Sequence, residues 1–293
     1  MSGDPKHIVN MQLARERASS PLSAQPRPFL RWVGSKRWLL KQMVDSLPSQ
    51  FATYHEPFLG SGALFFLLSP TRASLSDRCS ELIEVYKATK DDVSAIIGYL
   101  RPLQPDREVF YAMRNRRSRG RLKRAAEFMY LNKTCWNGLY RVNSEGRFNV
   151  PYGMPKTPFI ADFANLRACA RTLQAGDVRL RACDFETALE SVESGDLVYL
   201  DPPYVNGHNN NGFVDYNEIL FSWEDQKRLA KRAQQLADDG AYVIVTNAHH
   251  NEVLELYRGF ACHTLGRVST LASNPGRRVR VREALLCSPN CVG

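Results

Sequence analysis

Residues 197–204 read Leu-Val-Tyr-Leu-Asp-Pro-Pro-Tyr. Four apolar residues in a row suit a strand buried on both faces, and such strands belong to parallel sheets covered by helices. Two successive prolines then remove two N–H donors and end the hydrogen-bond ladder. A chain with this pattern sets Asp201, Pro202, Pro203 and Tyr204 at the carboxyl end of an interior strand, where α/β sheets bind ligands. The bland alternative is a rigid surface turn with a capping aspartate.

Similar apolar runs recur. Segments 53–58, 73–77, 178–183, 197–201 and 241–247 each predict a strand, and helical stretches separate several of them. The clearest helix opens at Ser222, with Asp225 three residues on as a capping pair. It continues through Leu229, Ala233 and Leu236 and stops at Gly240. Residues 36–47 predict another, with Trp38, Leu39, Met43 and Leu47 along one stripe. This alternation implies an α/β fold with a Rossmann-like parallel sheet. Residues 91–175 break the rhythm, being helical, basic and aromatic. They read as a small domain inserted between the two parts of the sheet domain, 28–90 and 176–290. Residues 1–27 are polar and aperiodic and are expected to form a disordered arm.

The formal charge is +9, and its distribution points to a polyanionic partner. Residues 114–124, RNRRSRGRLKR, hold seven cations in eleven positions and no acid, Arg116 and Arg117 among them. Arg277, Arg278, Arg280 and Arg282 form a second one-signed group. Solvated helix faces usually mix both signs, so such clusters favour phosphate contacts. The seven cysteines form no CxxC pair and the six histidines lack ligand spacing. No disulfide framework and no metal site are therefore indicated, and a reducing, cytoplasmic setting is expected. No run is apolar and long enough to span a bilayer, and the first residues lack the apolar core of a secretory signal, so no membrane association is expected.

Residues 54–63, YHEPFLGSGA, run a strand into a glycine-rich turn and an apolar helix. Doubly wound folds use such a turn to bring backbone close to a nucleotide-like ligand. A lone GxG is also an ordinary strand-to-helix turn, and the segment lacks the Lys-Ser/Thr ending of a phosphate-binding P-loop, which disfavours NTP hydrolysis. Paired with the DPPY motif downstream, it favours a functional reading.

These segments, in this order, resemble the Dam-type DNA adenine methyltransferases (the D12 class of α-ordered amino-methyltransferases) over residues 29–286. The resemblance implies a class I methyltransferase sheet, an inserted and mostly helical target-recognition domain carrying a β-hairpin, and S-adenosyl-L-methionine as cofactor. It implies that Trp32 and Lys36 in FLRWVGSK pack on that cofactor. Glu56, Phe58, Gly60 and Gly62 match the glycine-rich loop. Asp77 matches the acid that bonds the ribose hydroxyls, a placement that its distance from the glycine loop supports independently. Asp184 and Phe185 match the pair at the cofactor's adenine, and Asp201 borders the same site. Taken singly, Asp77 also reads as a helix cap and Phe185 as core.

Chemistry explains the DPPY motif. The N6 lone pair of adenine is delocalised into the ring, so the amine is a poor nucleophile. The Asp201 carboxylate and the Pro202 carbonyl, accepting its two N–H bonds, would localise that lone pair toward an electrophilic methyl group. Tyr204 would stack on a base that has left the duplex. Cytosine C5 methylation needs a thiolate, usually in a Pro-Cys motif, and no Pro-Cys occurs here.

Segment 128–153, FMYLNKTCWNGLYRVNSEGRFNVPYG, resembles the family's DNA-reading segment. The match makes Trp136 the stacking aromatic and Asn137 its neighbour at the orphaned base. Leu139, Arg141 and Pro151 match base-reading positions, and Arg141 suits bidentate contact with a guanine edge. The expected target is GATC, although Lys133, Thr134 and Cys135 depart from the usual Arg-Tyr-Gly. The turn signals at 137–138 and 145–146 also fit a purely structural hairpin. Residues 269–278, with Asn274, Arg277 and Arg278, resemble a family loop placed near DNA phosphates. Residues 205–212, VNGHNNNG, are expected to be mobile and to order on DNA.

The expected partner is double-stranded DNA, with a cognate restriction endonuclease possible. The alternatives are methylation of DNA cytosine N4 or RNA adenine N6, which DPPY itself does not separate, or a non-catalytic DNA-binding relic. The intact Asp201 and glycine loop argue against the relic.

Overall fold

The computed structural model describes residues 9–10, 25–34, 36, 38–116, 118–204, 221–268 and 280–291. The expected mobile segment 205–212, and Arg117, Asn274, Arg277 and Arg278, lie outside the described residues. A seven-stranded sheet forms the centre, in the order β5 (Asp177–Ala182), β4 (Arg72–Asp77), β3 (Tyr54–Glu56), β6 (Leu197–Leu200), β7 (Tyr242–Ala248), β9 (Arg280–Cys287), β8 (Ala261–Val268). The first five run parallel, and β9 inserts antiparallel between β7 and β8.

Alternation along the inner strands builds two cores. Leu197 and Tyr199 of β6 enter one apolar cluster, while Val198 and Leu200 enter the other. In β7, Ile244 goes to the first and Val243 and Val245 to the second. Successive side chains on a strand point to opposite faces, so a strand buried on both reads as an unbroken apolar run. That is the pattern seen in the sequence of β6.

On the first face lie α1 (Leu40–Val44), α2 (Ala63–Leu68) and α3 (Ser80–Leu100), followed by α4 (Arg107–Arg114), α5 (Arg121–Thr134) and α6 (Phe163–Gln174). All six residues of α2 are buried, as an all-apolar helix requires. α3 kinks at Asp92 (φ −150°, ψ 79°), whose carboxylate accepts from the Ala95 N–H at 2.9 Å and so caps the second half. The kink falls beside the expected boundary at 90/91, yet the core runs on across it, from Tyr54 and Phe65 through Tyr86 to Tyr130 and Val150. The second face carries α7 (Phe185–Leu189), α8 (Trp223–Asp238) and α9 (Asn251–Leu256). α8 starts at Ser222 with a full capping box from Asp225, as its sequence predicts.

Three expectations need correction. The helix expected over 36–47 is regular only in α1; before it the chain makes shorter turns, with Leu39 N–H bonded to the Lys36 carbonyl. Two residues of the arm expected to be disordered form β1 (Val9–Asn10), paired antiparallel with β2 (Gln50–Phe51), and Arg27 is tied to Asn165 and Asp162 of the α6 cap. β8 and β9 carry no signal in the sequence reading. Residues 261–264 of β8 are exposed, and the cations of β9 obscure its buried half, Ala284 to Cys287. Among the described residues no helix is long and apolar enough to cross a membrane.

β3 and β6 are also tied by a buried pair. His55 Nε2 lies 2.9 Å from Asp196 Oδ2, and Asp196 further accepts from the N–H groups of Thr53 and Glu193. Burial alone would raise the Asp196 carboxyl; the bonds from His55, Glu193 and Thr53 outweigh it and hold the group below the usual range. A depressed carboxyl contributes stability above its unfolded value and loses it as pH falls through the folded one. Asp196→Asn is therefore expected to cost about 2 kcal/mol at pH 7. The gap to the parent should narrow in acid, as urea unfolding at pH 7 and pH 3 would read.

Candidate active site

The chain order reverses between β3 and β6, which opens a crevice at their carboxyl ends. From β3 comes the loop 57–62. Gly60 and Gly62 have φ of 46° and 64°, a left-handed region that glycine enters without penalty. The Gly60 N–H donates to Asp77 Oδ2 at 3.0 Å, and the Cys79 N–H donates to Oδ1 at 2.9 Å. Burial raises the Asp77 carboxyl, and these bonds partly offset the rise. The Trp32 ring lies so close that a Cβ at Gly60 would sit 2.9 Å from its Cδ1.

Phe58, from the same loop, stacks on Phe185 (centroids 5.7 Å apart, 27°) and meets Phe221 edge-on at 5.6 Å. Phe185 opens α7, which Asp184 caps by accepting from the Glu186 N–H at 3.0 Å. Both Asp77, ending β4, and Asp184, just beyond β5, thus reach the carboxyl edge of the sheet.

From β6 comes the DPPY segment. Lys36 Nζ sits 2.8 Å from Asp201 Oδ1, and the Thr246 hydroxyl donates to the same oxygen at 2.7 Å. Among the described residues both partners use Oδ1. The ammonium also lies 4.5 Å from the centre of the Tyr204 ring, and the Tyr204 hydroxyl donates to Glu283 Oε2 at 2.8 Å. The Pro203 carbonyl accepts from Gln226, which in turn accepts from Asn247. Burial raises the Asp201 carboxyl, against the pull of Lys36 and Thr246.

The sequence matches the family of D12 class N6 adenine-specific DNA methyltransferases over residues 32–271. The chain belongs to that family. Among curated relatives, a type II methyltransferase of Lactococcus lactis subsp. cremoris is 35% identical over 89% of this chain and 94% of its own length. A type II methyltransferase of Methanocaldococcus jannaschii is 37% identical over 80% and 89%. The DNA adenine methylase of Escherichia coli K12 is 31% identical over 88% and 94%. This D12-class enzyme is thus an adenine-specific DNA methyltransferase with a mixed α/β sheet.

Segment 128–153 of this methyltransferase packs against Trp32 through Phe128 and Tyr140. Trp136 opens a single 3-10 turn (Trp136–Gly138) with Asn137 left-handed (φ 52°), and its side chain is 50% exposed. Its N–H bonds to the Pro151 carbonyl, and Gly153 N–H to the Thr134 carbonyl. Gly153 is held there by space: a Cβ would fall 2.4 Å from the Cys135 carbonyl oxygen. Arg141 is exposed, with Nε on Asn149 Oδ1, in a minimal hairpin joined by the Val142–Phe148 bridge. Asn137 and Pro151 are exposed, whereas Leu139 packs on the core and Lys133 is half-buried beside Arg31, which lowers its ammonium pKa after burial.

The basic run is less free than its sequence suggests. Arg116 reaches Glu127 and Arg121 reaches Asp91, while Arg114 and Arg124 donate to backbone carbonyls. Acids distant in sequence thus neutralise part of it.

The structure brings the predicted Trp32, Lys36, Glu56, Phe58, Gly60, Gly62, Asp77, Asp184, Phe185 and Asp201 to Tyr204 to one edge. Thr246, Glu283, Phe221 and Tyr140, which stacks on Trp32 at 5.6 Å, join them there without being expected from the sequence. The only signals were a Thr-Asn break in an apolar strand and a single acid among arginines.

Glu56 is buried and accepts from the Tyr54 hydroxyl at 2.9 Å. Burial drives its carboxyl well above the usual range, opposed by the bonds from Tyr54 and the Phe65 N–H. A raised carboxyl gives stability that is complete below the unfolded value and lost as pH rises. Glu56→Gln, which never ionises, is expected to melt above the parent at pH 7. The advantage should vanish near pH 3, where both states of the parent are protonated.

Proposed function

We propose that this enzyme transfers the methyl group of S-adenosyl-L-methionine to N6 of an adenine flipped out of duplex DNA, at GATC. The observation that carries this reading is the Asp201 carboxylate at the switch point, held through Oδ1 by Lys36 and Thr246.

The carboxyl edge offers groups suited to that cofactor. Gly60 and Gly62 let the loop backbone approach a ligand, Phe58 and Phe185 offer an apolar wall, and Asp77 and Asp184 offer acceptors for hydroxyl and amine groups. S-adenosyl-L-methionine supplies an electrophilic methyl group on a sulfonium. The chain's own residues do the rest. The Asp201 carboxylate and the Pro202 carbonyl accept the N6 protons and localise the lone pair, and the carboxylate stabilises the charge that develops on nitrogen. Tyr204, fixed by Glu283, stacks on the base, and Gln226 fixes the backbone of the motif.

Duplex DNA is supported by the exposed Trp136 on its rigid turn, a side chain suited to fill the space a flipped base leaves. Arg141 and Pro151 flank it; Arg116 and the basic residues around it offer phosphate contacts. The GATC assignment rests on the likeness of segment 128–153 to the Dam-type reading segment. A cytoplasmic setting is supported by seven free cysteines. A cognate restriction endonuclease is in keeping with the type II relatives.

Labelled methyl transfer from S-adenosyl-L-methionine to duplexes with and without GATC tests the reading. N6-methyladenine confined to the GATC duplex is expected, falling at least about a hundredfold in Asp201→Ala. Equal transfer to both duplexes would overturn the site assignment, and transfer only to RNA would overturn the substrate. Trp136→Ala should weaken productive DNA binding by about 1–3 kcal/mol with an unchanged melting temperature, because the ring is half exposed. DNA affinity and activity equal to the parent would remove Trp136 from the interface.

A further inference from the structure

Lys36 contacts both groups that the proposed function gives to the target base. Its ammonium donates to Asp201 Oδ1 at 2.8 Å and lies over the Tyr204 ring at 4.5 Å. Those are the carboxylate and the aromatic ring that the proposed function gives to the flipped adenine. A buried N–H donor carrying positive charge resembles an amine acquiring positive charge, so the two compete for one place. Lys36 is only 6% exposed, and a buried ammonium that loses its carboxylate without another at hand is costly.

Another carboxylate is at hand. Glu283, on the antiparallel strand β9, is 1% exposed, and its Oε2 lies 3.8 Å from Lys36 Nζ. The same oxygen accepts the Tyr204 hydroxyl at 2.8 Å. A third Lys36 contact, to the Gly34 carbonyl at 3.0 Å, holds the ammonium near both carboxylates. Lys36 therefore needs to move only far enough to bring that 3.8 Å separation into hydrogen-bond range.

We propose that Glu283 is a positioning residue for the transfer: it fixes the Tyr204 ring through its hydroxyl and receives Lys36 when the target base takes Asp201. Before DNA arrives, Lys36 keeps Asp201 and Tyr204 in place as a stand-in for the base. On entry of the base the ammonium passes to Glu283, so its charge remains paired throughout. The inference rests on the reading that Asp201 and Tyr204 receive the target base.

Glu283→Gln tests it, because the amide still accepts from Tyr204 but has no charge to offer Lys36. A duplex carrying 2-aminopurine at the target position reports entry of the base by fluorescence, independently of methyl transfer. Glu283→Gln is expected to lose most of the wild-type fluorescence change and to fall roughly tenfold in single-turnover rate, with DNA affinity retained. Adding Lys36→Met to Glu283→Gln should restore most of the fluorescence change, since no cation then competes. A purely structural Glu283 would show no such rescue. Wild-type fluorescence amplitude and rate in Glu283→Gln would overturn the proposal. If that variant melts below the assay temperature, Tyr204→Phe replaces it, removing only the hydroxyl that Glu283 holds. A partial loss of amplitude in Tyr204→Phe is expected, and full amplitude would overturn the positioning role. Wild-type protein that methylates DNA while Glu283→Gln behaves identically sinks this inference alone. Wild-type protein that neither methylates DNA nor changes the fluorescence sinks the proposed function with it.

Discussion

The parallel pairing of β3 with β6 is the contact on which the rest of the molecule depends. It sets Tyr54 beside Leu197 and His55 beside Val198, joining segments 143 positions apart in sequence. Chain reversal at that pair opens the crevice, and each strand delivers one motif to it: the glycine loop from β3 and DPPY from β6. The His55–Asp196 contact and the Thr53 N–H bond to Asp196 lock the same two strands from within. Neither motif has its partner without this pairing, because β4, β5 and the helices between them separate the two in sequence.

Among the described residues, Asp201 and Glu283 share the ammonium of Lys36, Glu56 is buried beside the Tyr54 hydroxyl, and Tyr199 and Tyr204 supply further hydroxyls. Burial raises Glu56 and Asp201, so ionising them costs folding stability. An apolar replacement would pack more favourably, as it often does for buried ion pairs. Retaining the carboxylates makes sense where a carboxylate must act on a substrate amine, since low polarity strengthens every such contact. The strand β9, antiparallel at the far side of β7, matters for this reason: it alone carries Glu283 into the cluster.

Segment 128–153 joins the glycine loop through aromatic packing. Trp32 lies against Gly60 on one side and stacks on Tyr140 and Phe128 on the other. Asn132 ties the Arg31 backbone to the Gly138 carbonyl, so the turn bearing Trp136 and the segment leading to Lys36 share one anchor.

Local sequence determined much of this protein: the buried strands of the sheet, the capping box of α8, the glycine turn and the DPPY motif at the end of β6. Those features follow from short-range rules, since apolar runs, prolines, glycines and caps act on their own few residues. Tertiary structure decided what such rules cannot reach. It shortened the helix before Leu40, whose preceding turns place Lys36 between two carboxylates. It gave Val9–Asn10 a strand partner. It built β8 and β9 from segments whose exposed or charged residues hide the strand pattern, and so brought Glu283 to Tyr204. It also paired Arg121 with Asp91, so that part of a cationic run is neutralised by an acid thirty positions away. In each case the deciding partner is distant in sequence, and its charge or hydrogen bond acts only once the sheet has closed.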